Sequence, residues 1–206
     1  MLQFVNDLER KIKKGLPGRD AQLHMAPSVR KHYMEAPDTA STASVLALFY
    51  PKEGQNHLVL IERQTKKNDR HGGQISLPGG KTEPTDAGHD ETALREAEEE
   101  VGVKSNDVEL IGSLTELYIP VSNFKVFPFV GFMDYRPDFV PQLSEVKSIL
   151  EIPFDEFLHQ SARKTMDMQV SQHITMRSVP YFDVQGRVVW GATAMILSEL
   201  ISIANQ

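Results

Sequence analysis

The residues from Gly79 to Val103, GGKTEPTDAGHDETALREAEEEVGV, decide how this chain is read. Two glycines and a run of turn-forming residues lead into a segment of helical period, from about Asp90 to Val101, which Gly102 is placed to stop. On a helical wheel Ala93, Leu94, Ala97 and Val101 share one face, which predicts the buried side. Glu96, Glu99 and Glu100 line an adjoining face, Glu98 points away toward solvent, and Arg95 stands four residues before Glu99, close enough to pair with it. Like charges at this spacing cost about 0.2–0.5 kcal/mol per pair, a penalty that a cation among them removes. An all-oxygen cluster suits Mg²⁺ or Mn²⁺. Acidic runs are more often solvated surface. Three features weigh against that here: the preceding Gly-Gly turn can bring a backbone carbonyl close, an arginine is interleaved, and the helix has a definite apolar face.

Upstream, VLIERQTKKNDRHGGQISLPGG (residues 59–80) runs directly into the glycine pair. Arg63, Lys66, Lys67, Arg70 and Lys81 form a basic cluster in an otherwise acidic chain, readable as a solvated loop or as a rim that binds phosphate. His71 and Gln74, in the HGGQ loop, fall to a substrate-binding or loop-shaping role. Farther out, Ala43 to Tyr50 and His57 to Arg63 read as strands divided by the turn-like KEGQN, and Val108 to Leu114 and Val126 to Phe132 as two more. Pro153 to His159 and Trp190 to Ala204 read as helices. Leu2, Val5, Leu8, Ile12 and Leu16 recur at helical steps, predicting an amphipathic helix that Gly15, Pro17 and Gly18 end. Residues 17–41 show no clear period and read as an irregular arm, so the expected division is a helix and arm over 1–41 and one mixed α/β domain over 42–206.

Composition bounds the function. The chain has 206 residues, 40% hydrophobic and 24% charged, as expected of a globular protein with a sizeable core. No apolar run approaches the roughly 20 residues a membrane helix needs. The charged N-terminal stretch does not read as a secretory signal. The absence of cysteine excludes disulfides, cysteine-based metal sites and cysteine nucleophiles, and fits a cytoplasmic location. A net charge of −6 argues against nucleic acid as partner. An anionic substrate would therefore need a bound metal ion or the local basic cluster to attract it.

The glycine–helix segment resembles a Nudix box, G-x5-E-x7-R-E-U-x-E-E-x-G-U, with U an aliphatic residue. Gly80 supplies the first glycine, and Arg95, Glu96, Ala97, Glu99, Glu100, Gly102 and Val103 supply the second half in register. Asp86 stands where the pattern has Glu, with one extra residue before Arg95; it reads as a turn residue or helix N-cap. These departures, and Leu60, Arg63, Gly73, Pro78 and Gly79 upstream, resemble the coenzyme A pyrophosphatase branch, although Gln64 replaces a small residue there and Leu77 an aromatic one. FKVFPFVG (124–131) and VWGATA (189–194) extend the resemblance over about residues 40–200.

The resemblance implies an α/β/α Nudix sandwich with a mixed central sheet, carrying its box at about residues 80–103. It implies a Mg²⁺- or Mn²⁺-dependent diphosphatase that cleaves coenzyme A or an acyl-CoA to adenosine 3′,5′-bisphosphate and a 4′-phosphopantetheine. Glu96 and Glu100 would bind the metal, with the Gly80 carbonyl and with Glu99, which Arg95 would orient; Glu99 or Glu145 would serve as base. Glu145 lies in LSEVKSILEIP, where Nudix enzymes often carry a further glutamate, and the alternative for it is a surface carboxylate. The partner implied is a small nucleoside diphosphate derivative, with no nucleic acid and no membrane; a homodimer is left open. Two rival functions stand beside this one, hydrolysis of ADP-ribose or another nucleoside diphosphate derivative, and a non-catalytic Nudix-like domain that senses a nucleotide.

Overall fold

Helix α1 (Leu2–Lys14) buries Val5 and Leu8 and stops at Gly15, leaving Leu16 exposed. The computed structural model describes residues 2–28, 30, 35–65, 71–171 and 174–206. The arm is less irregular than its sequence suggests, because Gly18–Leu23 form a short helix, α2. Its local signal is weak, since six residues bracketed by Gly and Pro carry no period. Tertiary bonds hold it: Gln22, fully buried, donates through Nε2 to the Thr115 carbonyl at 2.8 Å and to Glu199 at 2.9 Å.

Strands β1 (Ser41–Lys52) and β2 (Gln55–Arg63) form a hairpin closed by Glu53 and Gly54, both with positive φ, as a tight two-residue turn requires. After β3 (Ile75–Ser76) and β4 (Gly79–Lys81) comes helix α3 (His89–Val101), ended by Gly102 at φ 76°. Then follow β5 (Glu109–Ser113), β6 (Leu117–Ile119), β7 (Phe124–Phe132), β8 (Val146–Pro153) and helix α4 (Phe154–Leu158). A second sheet, β9 (Arg163–Ser171), β10 (Ile174–Val184) and β11 (Arg187–Trp190), precedes helix α5 (Gly191–Ala204).

Among the described residues the main sheet has eight strands, with the path β3-β2-β1-β7-β5. Strand β1 pairs with β7 in parallel and with β2 and β4 antiparallel, so the sheet is mixed. β4 joins the first half of β1 and β2 the second, while β8 runs along the far side of β2. Strand β1 alternates cleanly. Leu46, Leu48 and Tyr50 pack with Ala93, Ala97 and Val101 of α3. Ala47 and Phe49 face the other way, into a cluster with Leu8, Phe154 and Leu197. Helices thus cover both faces, with α3 on one and α1, α4 and α5 on the other, which is the α/β/α arrangement expected.

Candidate active site

The site forms where β4 lies against β1 and α3 crosses above. Gly79 has φ 153°, and a Cβ there would stand 2.3 Å from the Ser44 carbonyl oxygen and 2.6 Å from Val45 Cα. A Cβ on Gly80 would stand 2.4 Å from Glu96 Oε2. One glycine lets two backbones close together; the other leaves room for a carboxylate.

Glu100 is only 2% exposed. Its Oε2 accepts the Gly79 N–H at 2.8 Å, and Arg63 Nη1 lies 3.8 Å from Oε1, beyond hydrogen-bonding range. Burial pushes the Glu100 carboxyl up to about 7, the Gly79 N–H and Arg63 opposing, and Glu96 and Glu145 adding to the rise. Burial also raises Glu96, against the pull of Arg95. Glu99 stands at the rim, its side chain 58% exposed.

Arg95 ties the site together. Its Nε and Nη2 grip both oxygens of Asp86 at 2.9 and 3.0 Å; Nη2 also reaches the Lys81 carbonyl at 3.1 Å. Nη1 donates to Glu96 at 3.0 Å and to Glu99 at 3.3 Å. Asp86 accepts further bonds from the Glu83 N–H at 2.9 Å and Thr92 Oγ1 at 2.8 Å. Arg95 above all, then the Glu83 N–H, holds its carboxyl well below the usual carboxylate range. Asp86 is the anchor that makes Arg95 rigid, a role its spacing of nine residues did not advertise. The N-cap position belongs to Gly88.

Across from α3, the segment leading into β8 closes the other wall. Val140 N–H donates to the Val101 carbonyl and Gln142 N–H to the Glu100 carbonyl, both at 3.0 Å, so this segment takes up carbonyls at the open end of α3. Glu145 follows, and together with Glu96, Glu99, Glu100 and Arg95 it borders a cleft of about 380 Å³. Gln142, Ser144 and Glu83, which the sequence did not single out, border it too.

The structure therefore brings together Gly80, Arg95, Glu96, Glu99, Glu100 and Glu145, with Arg63 beside Glu100. His71 Nδ1 lies 3.2 Å from Gln74 Oε1, within the loop that returns from β2 to β3. Lys81 is exposed and meets Arg95 through its carbonyl. Lys66, Lys67 and Arg70 lie outside the described residues. Glu98 is exposed and accepts bonds from Ser105, well off the acidic face.

The donor set suits a hard divalent cation: five carboxylates, Glu83, Glu96, Glu99, Glu100 and Glu145, border one cleft, and Glu100 among them is buried and accepts the Gly79 N–H. Among the described residues no three acidic or histidine side chains already converge as ligands, because Glu96 is turned to Arg95 and Glu100 to the Gly79 N–H.

A model of the NUDIX domain matches residues 40–168. The chain is 31% identical over 179 residues to an uncharacterized Nudix hydrolase, NudL, of Pectobacterium atrosepticum, covering 87% of this chain and 88% of that one. It is 33% identical to the chloroplastic Nudix hydrolase 22 of Arabidopsis thaliana, over 80% of this chain but only 55% of that protein. Among solved structures, a MutT/nudix family protein from Enterococcus faecalis aligns with a TM-score of 0.53 at 15% identity, covering 91% of this chain and 73% of its own. The MutT protein of Methanosarcina mazei aligns with a TM-score of 0.52 at 17% identity, covering 84% and 99%. At these identities the structures speak for the fold alone.

Proposed function

We propose, since the chain belongs to the Nudix hydrolase family, that it cleaves the diphosphate linkage of coenzyme A or an acyl-CoA with the help of Mg²⁺ or Mn²⁺. The observation that carries the reaction class is the convergence of Glu96, Glu99, Glu100 and Glu145 on one cleft above Gly79 and Gly80. Support for the substrate comes from the 59–80 stretch, whose described residues include the end of β2 and all of β3 and bring Arg63 to within 3.8 Å of Glu100.

Glu96 and Glu100, with Glu99 and the Gly80 carbonyl, would hold the ions. Bound there, a divalent cation neutralises diphosphate charge and makes water a better nucleophile. The protein does the rest. Arg95, fixed by Asp86, keeps Glu96 and Glu99 on the cleft side of the helix. Glu145 borders the same cleft from the opposite wall and would take a proton from the attacking water. Arg63 offers its guanidinium to the anionic substrate.

The test is direct. Purified protein with Mg²⁺ or Mn²⁺ is given coenzyme A, an acyl-CoA, dephospho-coenzyme A and ADP-ribose, and products are read by mass. Adenosine 3′,5′-bisphosphate from coenzyme A, abolished by chelator, is expected. Faster cleavage of ADP-ribose than of either CoA form would overturn the substrate assignment.

A further inference from the structure

Resting on the reading of Glu145 above, we infer that Gln64 is a positioning residue that holds the Glu145 loop over the carboxylates of α3. Gln64 is the first residue past β2. Its main-chain N–H donates to the Glu145 carbonyl at 2.7 Å, and its side-chain Nε2 donates to the Leu143 carbonyl at 3.0 Å. One residue thus straps the loop on both sides of Ser144. Among the described residues the loop is also held by Gln142 N–H, which donates to the Glu100 carbonyl at 3.0 Å, and by turn bonds from the Glu145 and Val146 N–H groups to the Gln142 carbonyl at 2.9 and 2.8 Å. Packing adds little, since Leu143 is 68% exposed.

The strap sits where the sheet gives out. The β2–β8 ladder shifts register between Glu62 and Arg63, and Arg63 opposite Val146 is its last pair. Gln64 continues the pairing one step past that end, onto Glu145 itself. Gln142 therefore fixes the loop to α3 and Gln64 fixes it to β2, with Glu145 between the two and close enough to Glu96 and Glu100 for its charge to bear on both. A small side chain at position 64 would have no donor long enough to reach the Leu143 carbonyl. A glutamate would have the length but would set an acceptor against an acceptor.

The experiment uses the full chain as wild type, Gln64→Ala, Gln64→Glu, Glu145→Gln and the double variant Gln64→Ala with Glu145→Gln. Mn²⁺ affinity is measured from the electron paramagnetic resonance signal of free Mn²⁺; kcat, KM for coenzyme A and Tm are measured beside it. Gln64→Ala and Gln64→Glu should lower whichever of Mn²⁺ affinity or kcat Glu145→Gln lowers, by about threefold to tenfold, the scale of one hydrogen bond. KM and Tm should barely move, and the double variant should be no worse than Glu145→Gln alone. Wild-type affinity and kcat in Gln64→Ala, or losses that add in the double variant, would overturn the inference while leaving Glu145 its role. An inert Glu145→Gln, or a wild type that binds no Mn²⁺, would overturn both.

Discussion

Glu98 and Glu100 stand two positions apart on one helix and live in opposite environments. Glu100 is sealed beneath the cleft with one N–H donor, whereas Glu98 lies in solvent beside Ser105. Glu100→Gln keeps the shape and removes the charge on which the proposed metal site depends; it should cost on the order of a thousandfold in kcat with the fold intact. Glu98→Gln should stay within about 0.5 kcal/mol in stability and leave kcat unchanged. Steady-state kinetics and thermal melts of the two variants check the pair, and equal losses in kcat would refute the assignment of faces. The heptad-scale wheel was enough to separate these two carboxylates. It was not enough to find what holds Arg95. That partner, Asp86, sits in a turn, and turns bring residues together without any periodicity to announce it.

At the level of elements, the two glycines of β4 make separable predictions. Gly79→Ala places a methyl against the β1 backbone in a conformation that disfavours a side chain, so it should cost at least about 2 kcal/mol and lower Tm. Gly80→Ala first meets the carboxylate end of Glu96, a side chain able to turn aside. Its Tm should hold while activity falls, which melts and kinetics together will show. A second element-level case is Glu151 on β8, bonded by Tyr50, Lys52 and Arg136. Burial alone would raise its carboxyl; hydrogen bonds from Arg136, Lys52 and Tyr50 outweigh that and hold it at about 2. A carboxyl depressed in the folded state contributes stability above its unfolded value near 4.5 and loses it as pH falls toward 2. The gap in stability between wild type and Glu151→Gln, on the order of 2–3 kcal/mol at neutral pH, should therefore shrink between pH 4.5 and 2. Denaturant melts across that range measure it, and a gap that does not shrink would refute it.

For the whole molecule, the central hairpin, α3 with its stop at Gly102, and the final helix α5 were readable in advance because each is strongly patterned and locally terminated. The second sheet is not legible in the sequence. Its first strand, β9, is mostly exposed, β9 and β10 carry mixed polar residues, and one tie to the main sheet is tertiary: Arg187 beside the β10–β11 turn reaches the buried Glu62 of β2 at 3.2 Å. Substrate choice also belongs to this scale. Coenzyme A carries a 3′-phosphate that dephospho-coenzyme A lacks, and burying a phosphate without a cationic partner is costly. Coenzyme A should be cleaved with the higher kcat/KM, and replacing Lys66 and Lys67 or Arg70 should narrow the difference by about 1.5–3 kcal/mol, through loss of the coenzyme A advantage. Equal kcat/KM for the two substrates in the wild type would leave the basic loop without that role.

The buried Glu199 of α5 gathers the Gly18 N–H, the Gln22 amide, and both the N–H and the hydroxyl of Thr115, joining positions up to 181 residues apart in the chain. Such a knot ties off late in folding, because closing a loop that long costs entropy before any contact repays it. During synthesis α2 emerges early, and the face it lays against α5 stays uncovered until that last helix arrives. A ribosome that pauses before α5 would hold a chain whose carboxylate-lined cleft is complete and whose opposite flank is still open, the form a chaperone would meet.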